Sequence, residues 1–333
     1  MQPHVYIITV NYNNAADTTL FLASLQSDIS ISFSCIVIDN SSDPASSKAV
    51  QGMLAQEADA GKKVYFSSEN SINVARFRAA DFIHIICANR GFAAANNIAL
   101  SQIINNTNFS KEDYVFVVNN DTCIEKGCIE KLLDAAQKNP NRIGITAPLI
   151  YYFDENKIWS AGGWFYKSLG LLKAYHKGQA NISMPQKPIN FLTGCAWLIQ
   201  IDKLRKVTGL LDEAYFMYYE DLDYSLHVHE QGYELQLVPD AILKHKIGSS
   251  SQGEISPFAT YWMMRGRVRT LKKHNKYFTF FTAMAVLLFT RLFFVFPMAI
   301  LKGNLFIIQK QCKGFWDEIS NHPITILNEP AIT

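Results

Sequence analysis

The apolar run Tyr114–Val118 ends abruptly in two amides and a carboxylate, Asn119-Asn120-Asp121. A strand apolar on both faces is the pattern of a central strand in a sheet covered on both sides. In open α/β sheets ligands bind beyond the carboxyl ends of the strands, and a hard oxygen donor there can hold a divalent cation. Asn and Asp are also ordinary turn residues, so this segment alone equally reads as a turn. A second acidic group, Glu220-Asp221-Leu222-Asp223, follows an aromatic run (215–219) and opens a helix-like stretch to Glu230. Acids in a first helical turn are common capping and dipole partners, whereas a carboxylate against an aromatic wall can have the raised pKa of a general base. Around Asn89-Arg90-Gly91, small residues let a ligand approach the backbone and Arg90 can meet phosphate charge; the plain alternative is a strand-to-helix connection with Asn caps. His245, between Lys244 and Lys246, reads locally as a solvated histidine, and Asp39, before Ser41-Ser42, as a turn residue.

These residues need elements to hold them. Residues 5–10 read as a strand ending in Asn11-Tyr12-Asn13-Asn14, followed by a helix over 17–25 and a second strand over 35–38 that closes in Asp39-Asn40. A helix near 46–60, a strand over 82–87 and a helix through Ile104 continue the alternation. Strand, helix, strand with polar residues at the strand ends is the start of a parallel α/β domain. The first loop carries neither the glycine-rich turn of a dinucleotide site nor a phosphate-cradling G-x-x-x-x-G-K-[ST] loop, which disfavours both classes.

The chain has 333 residues, enough for one large domain or two moderate ones, and its net charge of +2 favours no nucleic-acid partner. Its six cysteines contain no C-x-x-C pair, so reduced thiols in a cytosolic protein are expected, with no signal peptide at the start. From Arg265 the character changes: Arg265, Arg267, Arg269, Lys272, Lys273 and Lys276 occur with no acid among them. An apolar run over 277–301 follows, interrupted by Arg291 and Pro297, then an amphipathic piece over 304–319 with Phe315 and Trp316. The run is long enough to cross a bilayer once, yet a central Arg is costly there and Pro bends the helix. A basic stretch beside an apolar helix fits a segment lying on an anionic leaflet, the reading preferred over a span or over helices packed on the domain or across a homodimer.

Taken in order, VNYNN, IDNSSD, NRGFAAANN, VVNND, FLTGCA, FMYYEDLDY, QGY and HKIGSS resemble the motifs of family 2 glycosyltransferases, over roughly residues 5–273 and nearest the bacterial rhamnosyltransferase branch. The resemblance implies a GT-A fold, α/β and Rossmann-like, with a mostly parallel sheet flanked by helices and C-terminal membrane-associated helices. It divides the chain into a catalytic domain (1–264), with a nucleotide-sugar half (1–121) and an acceptor half (122–264), and a membrane-association region (265–333). It also implies an inverting transfer assisted by Mg or Mn, from dTDP-rhamnose or a UDP-sugar to a lipid-linked saccharide of a surface polysaccharide. Such a protein would sit on the cytoplasmic face of the inner membrane.

By that resemblance Asp121 and His245 hold the metal, Asp221 is the general base and Glu220 its positioning neighbour. The donor contacts are Thr9, Asn11, Asp39, Asn40, Asn89, Arg90, Gly91, Asn96, Asn119 and Asn120, with Asp39 accepting from a pyrimidine N–H. Asp223 is expected to orient or cap. Trp159 and Trp164 can stack on sugars or pack in the core. Two departures stand out: only the last acid of the family's Asp-x-Asp-like motif remains, and His227 replaces a common Arg. The missing Gln-x-x-Arg-Trp motif argues against a processive synthase, and the missing Gly-rich basic loop against a nucleotidyltransferase. A catalytically inactive carbohydrate- or membrane-binding relative would lack the acids that Asp121 and Asp221 supply.

Overall fold

A computed structural model describes residues 3–25, 31–182, 188–246 and 256–324, so the expected motif residues 247–250 lie outside the described residues. The chain opens with β1 (His4–Asn11), α1 (Ala15–Leu25), β2 (Ser32–Asp39), α2 (Pro44–Asp59), β3 (Val64–Ser68), β4 (Phe82–Ile86), α3 (Phe92–Asn105) and β5 (Tyr114–Val118). It continues with β6 (Thr122–Ile124), α4 (Cys128–Lys138), β7 (Ile143–Tyr152), β8 (Ile158–Ser160), β9 (Gly163–Tyr166), β10 (Leu171–Ala174) and β11 (Ala196–Gln200). Then come α5 (Ile201–Lys203), α6 (Glu220–Glu230) and β12 (Glu234–His245). Four helices close it: α7 (Pro257–His274), α8 (Tyr277–Thr290), α9 (Phe296–Leu301) and α10 (Leu305–Ile319).

One sheet runs in the order β3-β4-β2-β1-β5-β11-β7-β12-β6, with β8 on β7, while β9 and β10 form a separate hairpin. Strands β1 to β5 pair in parallel, so the ends of β1, β2, β4 and β5 share one edge. β11 is antiparallel to β5, with Ala196 opposite Val118, so its start meets the end of β5. β12 is parallel to β7 and delivers His245 to the same edge, opposite Thr122. The sheet is therefore mostly parallel with an antiparallel strand set into its middle.

Period-two side-chain alternation explains why the central strands are apolar throughout. Tyr114, Phe116 and Val118 face a core with Phe21 and Leu25 of α1, Leu54 of α2 and Leu132 of α4. Val115 and Val117 face the other, with Ala95 and Leu100 of α3 and Val228 of α6. Helix starts follow local chemistry. Asp43 caps α2 by accepting from Ala45 N, and Ser256 caps α7 by accepting from Ala259 N, each with Pro in the first turn.

The expected domain boundary after residue 264 falls inside α7. The basic residues there are largely used within the fold rather than left as an open stripe. Arg265 and Arg269 both pair with Glu318 of α10, at 3.1 and 2.8 Å, and Lys273 pairs with Asp223 of α6 at 2.9 Å. Gly314 lets α10 close on α7, since a Cβ there would lie 2.6 Å from the Tyr261 carbonyl oxygen. α8 packs Ala283, Met284 and Leu287 against Leu226, Val268 and Leu271, and leaves its other faces exposed.

Candidate active site

At the shared edge, polar side chains from four elements form one chain of hydrogen bonds. Asn11 Nδ2 donates to Asp39 Oδ1 at 3.0 Å and to Ser41 Oγ at 2.9 Å. Thr18 of α1 donates to Asn11 Oδ1 and accepts from Asn120 Nδ2, both at 2.8 Å. Asp39 Oδ2 accepts from buried His84 Nε2 at 3.0 Å. Burial works against ionising Asp39, but hydrogen bonds from His84, Ser41, Ser47 and Asn11 outweigh it and hold the carboxyl well below the usual range. Asp39 is thus a buried, ionised anchor whose acceptor positions are mostly taken by protein donors, where the sequence suggests it reads a base directly.

On the other side of β5 the turn 193–195 joins the two acidic groups. Asn119 N donates to the Cys195 carbonyl at 2.9 Å, while Gly194 N donates to Asp221 Oδ2 at 3.2 Å. A Cβ on Gly194 would sit 3.1 Å from that of Asp221, so this residue sets how closely α6 approaches. Asp121 and Asp221 both lie near enough to Cys195 to raise its thiol pKa, beneath the larger effect of burial. Burial also raises the Asp221 carboxyl, against hydrogen bonds from Gly194, Leu222 and Thr193 that lower it. Glu220 is pushed up by burial first and by Asp221 next, and its Oε2 has no partner among the described residues.

Asp121 Oδ1 and His245 Nε2 are 3.0 Å apart, both nearly buried, so the histidine is not a solvated one between lysines. Trp159 of β8 packs its ring edge on His245 at 4.4 Å, and His245 Nδ1 is without a polar partner among the described residues. One carboxylate and one imidazole suit a divalent cation that takes its remaining ligands from a diphosphate and water, with proton and metal competing for the same two atoms. No group of three His, Cys, Asp or Glu side chains among the described residues is arranged to hold a metal ion, so a cation held here leans on its substrate.

The remaining candidates divide. Thr9 Oγ1 and the side-chain oxygens of Asn40, Asn96 and Asn119 are buried acceptors with no partner among the described residues. Asn89 accepts from Gly91 N at 3.1 Å and from Asn40 Nδ2 at 3.4 Å. Arg90 is exposed and paired with Glu69. What approaches Gly91 closely is the protein itself: its φ is +96°, and a Cβ would lie 2.2 Å from the Phe216 carbonyl oxygen, which accepts from Phe92 N. Asp223 binds Tyr215, Lys273 and His274 rather than facing the turn. His227 Nε2 donates to the Val207 carbonyl at 3.0 Å, a local structural contact. Trp164 lies against His229 at 5.7 Å.

Sequence reasoning missed Thr18 and His84, and noted Thr193 only as part of the FLTGCA motif without a role of its own. His84 had a visible signal, a lone polar residue in an apolar strand; a threonine within a helix or a turn has none.

Residues 78–208 match the family model described as Glycosyl transferase family 2. A 193-residue stretch is 31% identical to the N-acetylglucosaminyl-diphospho-decaprenol L-rhamnosyltransferase of Mycobacterium tuberculosis, covering 52% of this chain and 62% of the relative, less than two thirds of its length. Among solved structures, the mannosyltransferase PcManGT from Pyrobaculum calidifontis in complex with GDP-Man and Mn2+ superposes with a TM-score of 0.55 at 12% identity, over 97% of this chain and 89% of that one. S. aureus TarS gives 0.56 at 14% identity, over 97% and 49%. At such identities the structures speak for the fold. The family match takes in Asn89 to Asn96, Asn119 to Asp121 and the turn 193–195, and stops before α6. The sheet order and the structural likeness give this chain a GT-A fold, and its residues 78–208 are similar to family 2 glycosyltransferases.

Proposed function

We propose that the protein is an inverting, divalent-metal-assisted glycosyltransferase that moves L-rhamnose from dTDP-rhamnose to a lipid-linked saccharide during surface polysaccharide synthesis. The observation that carries the reading is the turn 193–195, which binds the end of β5 through the Cys195 carbonyl and Asp221 through the Gly194 amide. A metal-side carboxylate and a base-side carboxylate then flank one short, rigid segment, as in-line displacement demands.

Asp221 removes the acceptor hydroxyl proton, and its raised pKa brings its basicity nearer to neutral pH. Glu220 is its positioning neighbour, held protonated by burial and by the adjacent Asp221. Asp121 and His245 hold the cation, which when bound neutralises charge on the departing diphosphate as a Lewis acid. The unpartnered oxygens of Thr9, Asn40, Asn96 and Asn119 are acceptors for donor N–H and O–H groups, and Asn89 lies beside Asn40. Asp39 acts through Asn11 and Asn120, stiffening the floor beneath the nucleotide. The rhamnose donor and the lipid-linked acceptor are inferred from the mycobacterial relatives' name.

The helix Tyr277–Leu301 is long and apolar enough to cross a membrane, and little of it is buried in the protein. Its packed face on α7 and the Arg291 and Pro297 interruptions support an in-plane position on the cytoplasmic leaflet. The β9–β10 hairpin adjoins it, with the Thr282 hydroxyl donating to the Ser168 carbonyl, and adds exposed Leu169, Leu171 and Leu172.

Isothermal titration with dTDP and UDP, each with and without Mn2+ or Mg2+, tests the donor site. Metal-dependent binding that favours dTDP is expected. Tighter UDP binding would move the donor to a UDP-sugar, and no binding of either would sink the transferase reading in favour of an inactive relative.

A further inference from the structure

Between α6 and the exposed face of α8 lie two guanidinium groups with no carboxylate on either. Among the described residues, Arg267 has a single polar contact, the Tyr219 hydroxyl 2.7 Å from its Nε. Arg291 donates to Gln311 Oε1 at 3.0 Å and to the Thr290 hydroxyl at 3.2 Å. Their neighbours Arg265, Arg269 and Lys273 are all ion-paired, so the lack of an acid here is local rather than general to the helix. Both arginines are half-buried. Burial works against the Arg291 cation first, and the adjacent Arg267 charge adds to it.

Two like charges held together out of full solvent cost free energy that an anion between them would recover. Arginine's planar fork meets phosphate oxygens two at a time, which a lysine cannot do. The place is equally specific. Tyr219, at φ +72°, is the residue that turns the chain into Glu220 and Asp221. Arg291 sits in a widened helical turn, Arg291–Val295, amid exposed Phe289, Leu292, Phe293 and Phe294. The arginines thus stand between the base-side carboxylate and the apolar face.

We propose that Arg267 and Arg291 seat a phosphate or diphosphate group carried by a lipid, holding the anionic end of the acceptor while its sugar hydroxyl reaches Asp221. This deepens the transferase reading and rests on it for direction, but the anion site has its own readout.

The test is flotation of the full-length protein with phosphatidylcholine vesicles, plain or containing a small fraction of polyprenyl diphosphate. Vesicles with phosphatidylglycerol at matched charge serve as control. Wild type should bind the diphosphate vesicles roughly tenfold tighter than either other kind, the scale of one charge-assisted contact. Arg267→Gln and Arg291→Gln should each lose that increment while keeping plain-vesicle binding and nucleotide titration, which also certify folding. Arg→Lys at either position should restore only part of it. Inorganic pyrophosphate should compete the increment away; persistence would assign the preference to the hydrocarbon chain and overturn the proposal. Equal binding to phosphatidylglycerol vesicles, or an undiminished preference in both Gln variants, would overturn it too. An intact increment with no nucleotide binding would instead remove the transferase reading and leave the anion site standing.

Discussion

At the level of single residues, the two adjacent acids at the start of α6 make separable predictions. Asp221→Asn keeps the shape and the Gly194 contact but removes the proton acceptor. Turnover should fall by about a hundredfold to ten-thousandfold, the usual contribution of general base catalysis, with nucleotide binding unchanged. Near-normal turnover in this variant would exclude Asp221 as base. Glu220→Gln tests the coupling. The Glu220 carboxyl is pushed up to about 8, by burial first and by Asp221 next. With a folded-state pKa above its unfolded one, its stabilising protonated form is fully present below the unfolded value and is lost as pH rises toward the folded one. Glu220→Gln should therefore melt higher than wild type near pH 8 and similarly at acidic pH. Because Glu220 is already protonated where Asp221 titrates, the acid limb of the kcat profile, set by Asp221, should stay in place in this variant. A limb that moves to lower pH would show that Glu220 is ionised beside Asp221 across that range.

At the level of elements, α6 keeps its place because α7 grips it. His274, its side chain only 3% exposed, sits between Asp223 at 2.8 Å and Glu230 at 3.0 Å. Burial disfavours its cation, but the hydrogen bonds it donates to Asp223 and Glu230 outweigh that and raise its pKa. The clamp therefore contributes in full below about pH 6.5 and is lost as pH climbs through the raised value. His274→Gln should lower stability by roughly 1.5–3 kcal/mol at the acidic end, with the deficit shrinking toward alkaline pH. A deficit constant with pH would mean that packing, not the imidazolium, holds the two helices. None of this clamp was legible in the sequence, because Asp223 and His274 are distant in the chain and neither carries a local signal. The strands were legible: an uninterrupted apolar run has one stable home, the middle of a covered sheet, and Tyr114–Val118 is β5 to the residue. The polar strand ends were legible as an edge, but their wiring was not. Asp39 and Gly91 have the residue types of ligand contacts, and the structure turns the first toward His84 and Asn11 and sets the second against Phe216.

On the scale of the whole molecule, the C-terminal helices pack on α6 through α7, and this constrains how membrane association can be tested. Deleting everything from Tyr277 onward would remove the apolar face but also α10, whose Glu318 neutralises Arg265. Breaking a buried pair by removing one partner costs about 3–5 kcal/mol, so a truncated chain would unsettle α7 and with it the support for α6. Loss of activity or sedimentation in such a chain would say little about lipid. The apolar face can be altered without touching the joint. Phe278 is 79% exposed and Phe281, Phe289 and Phe293 are more than half exposed, whereas Ala283, Met284 and Leu287 carry the contact with α7. Replacing those four phenylalanines with Ser should leave the melting temperature within a few degrees of wild type, because surface positions contribute within about 0.5 kcal/mol each. The same change should release the protein from phosphatidylcholine vesicles, since each aromatic ring that enters the interface contributes about 1.5–3 kcal/mol of apolar transfer. If the variant instead melts much lower and changes its oligomeric state, the phenylalanines face a second copy of the chain. If it stays folded, monomeric and bound to vesicles, the lipid contact lies elsewhere, and the exposed leucines of the β9–β10 hairpin become the next residues to alter.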